Sequence, residues 1–173
     1  IDAVVFATGF DAMTGAILAL DIEGRDGRTL EEKWAAGPRT YLGLGTHGFP
    51  NLFTITGPQS PSVLTNMPMS IEQHVEWIAD CIAYMDAEGY DSIETTEHSE
   101  TQWVQNTNML AENMLFSEAK SWYRGANVPG KTTVFTPFPG GLDNYREICE
   151  RVARDDYDGF DLGRVADAPT VSD

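Results

Sequence analysis

The chain has 173 residues, of which 42% are hydrophobic and 22% are charged, and this composition is typical of a folded globular protein. The formal net charge of -16 repels nucleic acid and anionic lipid, and the 11 lysines and arginines form no cluster, so neither partner is expected. No apolar run has the length of a membrane span and the first residues lack the basic start of a signal peptide, so we expect a cytoplasmic protein.

The first predicted element is a short apolar strand at residues 2–6. Its sequence, DAVVF, is typical of a buried parallel strand, but no neighbouring strand precedes it. We therefore expect its partners to come from residues outside this chain. Farther along, residues 16–22 and the turn at Asp26 and Gly27 predict a hairpin, and Thr29 with Glu32 has the spacing of a helix capping box.

Three glycines, Gly43, Gly45 and Gly48, have the G-x-G-x-x-G spacing of a dinucleotide-binding turn. In that motif the third glycine opens a helix whose N-terminus faces the phosphates. Here Pro50 follows, and residues 51–56 form an apolar run that is typical of a β-strand. A strand is therefore predicted where the motif requires a helix, and we expect no phosphate site at these glycines.

Three helices are predicted in the remaining chain. The first runs from Ser70 to Gly89, with Ser70 and Gln73 as its capping box, and the others cover about 97–115 and 142–153. The residues predicted to form the apolar face of the first helix are Ile71, Val75, Ile78, Ala79, Ile82 and Met85. Both cysteines, Cys81 and Cys149, lie in these periodic segments, so we expect reduced thiols in the core.

No complete catalytic constellation is present in the sequence. The three histidines are isolated and no Cys-x-x-Cys occurs, so a metal site is not expected. Ser60 and Ser62 lack the G-x-S-x-G elbow of serine hydrolases. Two loops have a functional composition, namely 57–68, which precedes a helix N-terminus, and 121–131, which contains Trp122. An ordinary connecting loop and plain aromatic packing remain the alternatives for them.

Three stretches resemble a known family of flavoproteins. DAVVFATGFD resembles the A-T-G-x-D segment of class B flavin monooxygenases. YLGLGTHGFPNLF with the following GPQSPSVLTNMPMSIEQHVEWI, and later SWYRGANVPGK, resemble the C-terminal portion of type I Baeyer–Villiger monooxygenases, in the branch of the phenylacetone and steroid monooxygenases. The resemblance extends from Ile1 to about Leu162.

This resemblance implies an α/β fold with several helices, in which the chain is the C-terminal segment of a flavoprotein with two dinucleotide-binding domains. Residues 1–10 would end the NADP-binding domain and lead back to the FAD-binding domain. Residues 11–165 would be the second segment of that FAD-binding domain, with 121–131 as a loop for substrate and NADP, and 166–173 would be a flexible tail. The nucleotide fingerprints and the catalytic residues are expected in the N-terminal part of the same enzyme, which is the implied partner.

The resemblance also implies the chemistry and the residues near it. FAD and NADP(H) would be the cofactors, and ketones would be oxidised by O2 to esters or lactones through a flavin C4a-peroxide. The implied cofactor contacts are Asn66 and Met67 at the flavin ring and Trp122 at NADP, and the implied substrate-pocket residues are Ser62, Val63, Leu64 and Thr136.

The chain departs from the family pattern in two places, and two other functions remain open. Gln59 stands where glycine is common in this branch, and Thr132-Thr133 replaces a Pro-Arg pair. One alternative is another class B flavin monooxygenase that oxidises nitrogen or sulfur, against which SWYRGANVPGK argues. The other alternative is a non-catalytic helical subunit.

Overall fold

A computed structural model of the chain describes residues 3–6, 10–112, 114, 122–124, 130, 132 and 134–164. The helices are α1 (Gly15–Leu18), α2 (Leu30–Lys33), α3 (Met67–Glu88), α4 (Glu97–Glu112) and α5 (Leu142–Arg154), and the strands are β1 (Ser92–Thr95) and β2 (Phe160–Gly163). Short 3-10 turns cover Arg25–Gly27, Ser62–Leu64 and Trp122–Arg124. The predicted tail at 166–173 lies outside the described residues.

The main core lies between α3, α4, α5 and the small sheet. Its buried side chains include Trp77, Cys81, Trp103, Phe138, Tyr145 and Cys149. The sheet is antiparallel, with Ser92 opposite Gly163 and Thr95 opposite Phe160. Both strands are only four residues long, too short for a period-2 pattern to be recognised, and the sequence analysis missed them. Both cysteines are buried free thiols, which confirms that prediction.

The helix α3 is confirmed, but its beginning and its buried face differ from the prediction. It starts at Met67 after the N-cap residue Asn66, with a proline in the first turn, and it ends at Gly89 in a left-handed C-cap. The predicted Ser70–Gln73 capping box is therefore wrong, because Ser70 lies inside the helix. Its backbone N–H already donates to the carbonyl of Asn66.

The core side of α3 is formed by the residues Ser70, Gln73, His74, Trp77, Cys81 and Met85. Of the residues predicted to be buried, Ile71, Val75 and Ile82 are 40%, 47% and 49% exposed. Periodicity misplaced the face because His74 and Trp77 enter the core with hydrogen-bond partners: the Trp77 indole, for example, donates to the carbonyl of Cys149. The outer apolar face, defined by Ile71, Val75 and Ile82, is left uncovered by the described part of the chain.

Two predicted strands are not formed. Residues 3–6 have no regular secondary structure and expose Val4, Val5 and Phe6, because no described segment pairs with them. Residues 51–56 are not a strand either. Asn51 and Thr56 have left-handed φ angles of +58° and +52°, which an extended strand does not allow.

The smaller predicted elements are partly confirmed. The predicted hairpin is shorter than expected, since a single bridge joins Glu23 to Thr29 and part of 16–22 belongs to α1. The capping box is present: the Glu32 amide donates to the Thr29 hydroxyl at 3.2 Å, and the Thr29 amide donates to the Glu32 carboxylate at 3.0 Å. The helix α4 ends at Glu112, and α5 extends one residue beyond its predicted end.

Candidate functional site

The segment from Thr56 to Met67, called here the 56–67 loop, has an unusual backbone. Three of its non-glycine residues, Thr56, Gln59 and Ser62, have positive φ angles of +52°, +65° and +44°. Such conformations cost free energy for residues with a side chain, and they persist where the surroundings hold them in place. They also concentrate at functional sites, so the contacts that hold this loop are informative.

A buried histidine holds the beginning of the loop. The backbone N–H of Thr56 donates to Nδ1 of His74 at 2.8 Å, so this nitrogen carries no proton. The other ring nitrogen, Nε2, lies 2.8 Å from the hydroxyl of Tyr145 and donates to it, since that hydroxyl in turn donates to the carbonyl of Leu42. Burial lowers the pKa of His74 to about 4, so the ring is neutral at pH 7.

Gln59 holds the middle of the loop. Its side-chain Oε1 accepts from the backbone N–H of Thr40 at 2.8 Å and lies 2.8 Å from the hydroxyl of Thr40, whose single proton is shared with the carbonyl of Pro58 at 2.7 Å. Its Nε2 donates to the carbonyl of Pro38 at 2.6 Å. Its backbone carbonyl accepts from the indole of Trp103 at 3.0 Å. The residue that departs from the family pattern is therefore a buried junction between the loop, residues 38–40 and α4.

The backbone of residues 134–138 connects the two loops of functional composition. The N–H of Gln59 donates to the carbonyl of Thr136, and the N–H of Phe138 donates to the carbonyl of Ser60. On its other side Thr136 donates to the carbonyl of Tyr123, with its N–H at 3.0 Å and its hydroxyl at 2.7 Å. The 56–67 loop and the turn Trp122–Arg124 thus meet across Thr136.

The residues implied by the family resemblance fall in these segments. Ser62 and Thr136 are buried, Val63, Leu64 and Met67 are half-buried, and Asn66 is exposed. Trp122 begins the 3-10 turn, but its side chain lies outside what the structure describes. The structure brings the backbones of these segments together, and the contacts of the seven residues with cofactor or ketone stay predictions.

The N-terminus of α3 has the properties of a site for an electron-rich group. The side chain of Asn66 makes no capping hydrogen bond, and the first turn contains no acidic residue. The first N–H groups of a helix have no intrahelical acceptor and lie at the positive end of the helix dipole. The carbonyl-bearing edge of a flavin ring fits such a position, so the residues present are compatible with FAD.

Packing accounts for two of the glycines in the G-x-G-x-x-G pattern. Gly43 has a φ of +71°, and a Cβ there would lie 2.6 Å from the side chain of Ser60. A Cβ at Gly45 would lie 2.4 Å from the hydroxyl of Thr95. As predicted, no helix follows Gly48 directly. These glycines allow the 41–45 turn to pack closely against the 56–67 loop and β1.

Sequence reasoning missed the residues that hold the site. His74 was read as isolated, and Thr40 and Tyr145 carried no signal at all. For Gln59 a signal existed, because a position where glycine is common indicates a left-handed backbone.

Within the described part of the chain, no group of three or more His, Cys, Asp or Glu side chains could hold a metal ion. No described helix combines the length and apolar character of a membrane span.

Known proteins resemble this chain in sequence and in structure, although no protein-family model matches it. The cyclohexanone 1,2-monooxygenase of Acinetobacter sp is 41% identical over 162 residues, which cover 94% of this chain and 30% of that protein. The phenazine N-monooxygenase PhzNO1 of Lysobacter antibioticus is also 41% identical over 162 residues, with the same coverage of 94% and 30%.

A solved structure agrees with the sequence matches. Oxidised steroid monooxygenase bound to NADP superposes with a TM-score of 0.83 and 54% identity, over 90% of this chain and 29% of that one. The chain therefore spans about 30% of the length of the curated relatives it matches. Together with the 42% identity to a Baeyer–Villiger monooxygenase of Pseudooceanicola batsensis, over 96% of this chain and 30% of that protein, these matches place the chain in the family of the Baeyer–Villiger monooxygenases, where it corresponds to a C-terminal portion of the enzyme.

Proposed function

We propose that this chain serves FAD- and NADPH-dependent Baeyer–Villiger oxidation, as one portion of a longer enzyme. In the overall reaction a ketone, O2, NADPH and a proton give an ester or lactone, NADP+ and water. The observation that carries the proposal is the junction at Thr136, which joins the 56–67 loop to the turn Trp122–Arg124. The 54% identity with a steroid monooxygenase bound to NADP supports it.

In this proposal the N-terminus of α3 holds the flavin. The N–H groups at the start of the helix, beside Asn66 and Met67, would hold the electron-rich edge of the ring. When bound, FAD supplies the oxygen activation and NADPH supplies the electrons. The catalytic residues belong to the portion of the enzyme that precedes this chain.

The substrate wall is formed by residues of the 56–67 loop and by Thr136. Val63 and Leu64 are half-buried aliphatic side chains, and they select a ketone by its volume because they offer no directional contact. The hydroxyl of Thr136 is committed to the carbonyl of Tyr123, so a contact of this residue with a substrate would be made by its methyl group. Trp122, next to Tyr123, contacts NADP in this arrangement.

The partner is the preceding portion of the same enzyme, and the uncovered apolar surfaces support this. The outer face of α3 exposes Ile71, Val75 and Ile82, and residues 3–6 expose three further large apolar side chains. Apolar surface of this extent is typical of a buried interface within a protein. We propose domain bounds of 1–10 for the end of the NADP-binding domain and 11–165 for the second segment of the FAD-binding domain.

The proposal is tested with the protein that carries this chain together with the preceding portion. Purified protein is given NADPH, ¹⁸O2 and a series of cyclic, aromatic and steroidal ketones. We expect ester or lactone that contains one ¹⁸O atom, with one product formed per NADPH oxidised. Oxidation of NADPH without an oxygenated ketone product would contradict the proposal, and failure to bind FAD would favour a non-catalytic subunit.

A second candidate function is the oxygenation of an aromatic ring nitrogen. It is favoured by one observation, the 41% identity with a phenazine N-monooxygenase over 94% of this chain. The same assay with phenazine in place of the ketone separates the two functions, because an N-oxide retains the ring skeleton whereas an ester contains a new C–O bond. Formation of N-oxide alone would establish the second function.

A further inference from the structure

We propose that Gln59 is a positioning residue that locks the 56–67 loop and the turn Trp122–Arg124 into one unit. The inference deepens the proposed function and rests on it in one respect: the two locked segments are those assigned to the flavin, the ketone and NADP. The structure itself supplies the connections between them.

Gln59 uses every polar group it has. Its carboxamide bonds the carbonyl of Pro38 and the backbone N–H of Thr40, its backbone N–H donates to Thr136, and its carbonyl accepts from Trp103. The residue is only 4% exposed, so these bonds do not compete with water. One residue therefore fastens the loop to three separate segments.

The backbone conformation of Gln59 also depends on these contacts. At a φ of +65° a glycine would be free of strain, whereas glutamine is not. The hydrogen bonds of the carboxamide offset that strain, and they add a connection to residues 38–40 that glycine cannot make. Glycine at position 59 would keep the backbone bonds to Thr136 and Trp103 and would remove the connection to residues 38–40, so the loop would be held less firmly.

A path of hydrogen bonds runs from Gln59 to the turn Trp122–Arg124. Thr136 accepts from Gln59 through its carbonyl and donates to Tyr123 through its N–H and its hydroxyl. Thr136 is 4% exposed, so its position is set by these partners and by packing. A shift of the 56–67 loop is therefore transmitted through Thr136 to the turn Trp122–Arg124.

The consequence is a fixed spacing between the two walls of the proposed ketone pocket. A rigid wall selects substrates by volume and excludes water from the reacting groups. Loosening the lock should widen the range of ketones and reduce the amount of ester formed per NADPH.

Hydrogen exchange tests the lock without reference to activity. In the protein with its preceding portion, amide exchange is measured by mass spectrometry for peptides within 56–67 and 120–138, in the parent and in three variants. Gln59→Gly should raise exchange in both peptides. Thr136→Val, which removes one bond to Tyr123, should raise it near 122–124 and leave 56–67 unchanged. Gln73→Ala is the matched control, because Gln73 is also a buried glutamine but lies in α3.

Ketone oxidation then tests the role of the lock. For Gln59→Gly we expect ester per NADPH to fall roughly threefold to tenfold, as for a loss of positioning, together with a flatter rate profile across the ketone size series. Gln73→Ala should leave the ester yield per NADPH and the rate profile unchanged. Parent-like exchange in the 120–138 peptide of Gln59→Gly would overturn the lock. If Gln59→Gly raises exchange but keeps the parent's ester yield per NADPH and rate profile, its positioning role is overturned. If the parent itself oxidises no ketone, the proposed function is refuted, and the exchange result alone decides whether the lock exists.

Discussion

Two buried polar clusters lie beside residues 41–48, and one is neutral while the other is ionic. In the neutral cluster, His74 and Tyr145 hold Thr56 and Leu42 through uncharged hydrogen bonds. In the ionic cluster, the fully buried carboxylate of Glu100 receives Lys33 Nζ at 3.0 Å, Arg39 Nε at 3.1 Å and the backbone N–H of His47 at 3.0 Å.

The difference shows two ways in which polar groups are stabilised when they are buried. Burial disfavours charge, so the histidine stays neutral, whereas a buried carboxylate persists only with cationic partners and N–H donors around it. Protonation of His74 should therefore destabilise the neutral cluster. Removal of a charged partner should destabilise the ionic cluster.

The largest effect is expected from Glu100→Ala. This change leaves Lys33 without its counter-ion in a site where its side chain is 9% exposed, and it also releases Arg39 and the His47 amide. Removing one partner of a buried ion pair costs about 3–5 kcal/mol of unfolding free energy. Urea unfolding measures the loss, and Glu97→Ala at the exposed start of the same helix is the control. Equal stability of the two variants would show that the ionic cluster is dispensable.

A fall in pH should lower the unfolding free energy through the neutral cluster, by slightly less than Glu100→Ala lowers it through the ionic cluster. The pKa of His74 is about 4 in the folded chain against 6.5 for the ordinary group, so the unfolded chain binds a proton first as the pH falls. The contribution of His74 is complete above pH 6.5 and declines until pH 4, by about 3 kcal/mol in all. Urea unfolding from pH 7 to pH 4 should show this decline in the parent. In His74→Gln that part of the decline should be absent, and the same pH dependence in both proteins would contradict a neutral buried His74.

Tyr145→Phe sharpens the comparison within the neutral cluster. It keeps the ring, which packs against Phe138 with centroids 5.8 Å apart, and removes the hydroxyl between His74 and Leu42. Two buried groups then lack a partner, and the expected loss is about 2 kcal/mol of unfolding free energy. Tyr84→Phe is a suitable control because the hydroxyl of Tyr84 bonds Asp156 at an exposed position. A loss no greater than that of the control would mean that water replaces the hydroxyl.

The smallest effect is expected from Lys33→Met. Methionine retains most of the apolar stem, and Glu100 keeps Arg39 and the amide of His47 as partners. The expected loss is about 1 kcal/mol, well below that of Glu100→Ala, because the carboxylate remains partly compensated. Thermal unfolding of Lys33→Met and Glu100→Ala, measured side by side, gives the ratio of their two losses in stability. A loss as large as that of Glu100→Ala would show that Lys33 alone stabilises the buried charge.

Parts of the candidate site could be predicted because their motifs are local in sequence. The two loops were found by composition, and the resemblance to Baeyer–Villiger monooxygenases was found from stretches such as SWYRGANVPGK. The contacts that hold the loops were not predictable, because Gln59 meets Thr136 and Trp103 only after distant segments have packed together. His74 and Tyr145 lie 71 residues apart in sequence, and neither suggests the other.

The sequence by itself determined the elements whose cause is local. The capping box at Thr29 and the glycine end of α3 depend on neighbours within a few residues, so spacing alone was enough to predict them. Only the tertiary structure decided which side of α3 is buried. Both sides of that helix carry apolar groups, and His74 and Trp77 turn inward because α5 and the 56–67 loop supply their hydrogen-bond partners. The left-handed backbone at Gln59 was decided in the same way, since the bonds that hold it come from residues 38–40, Thr136 and α4.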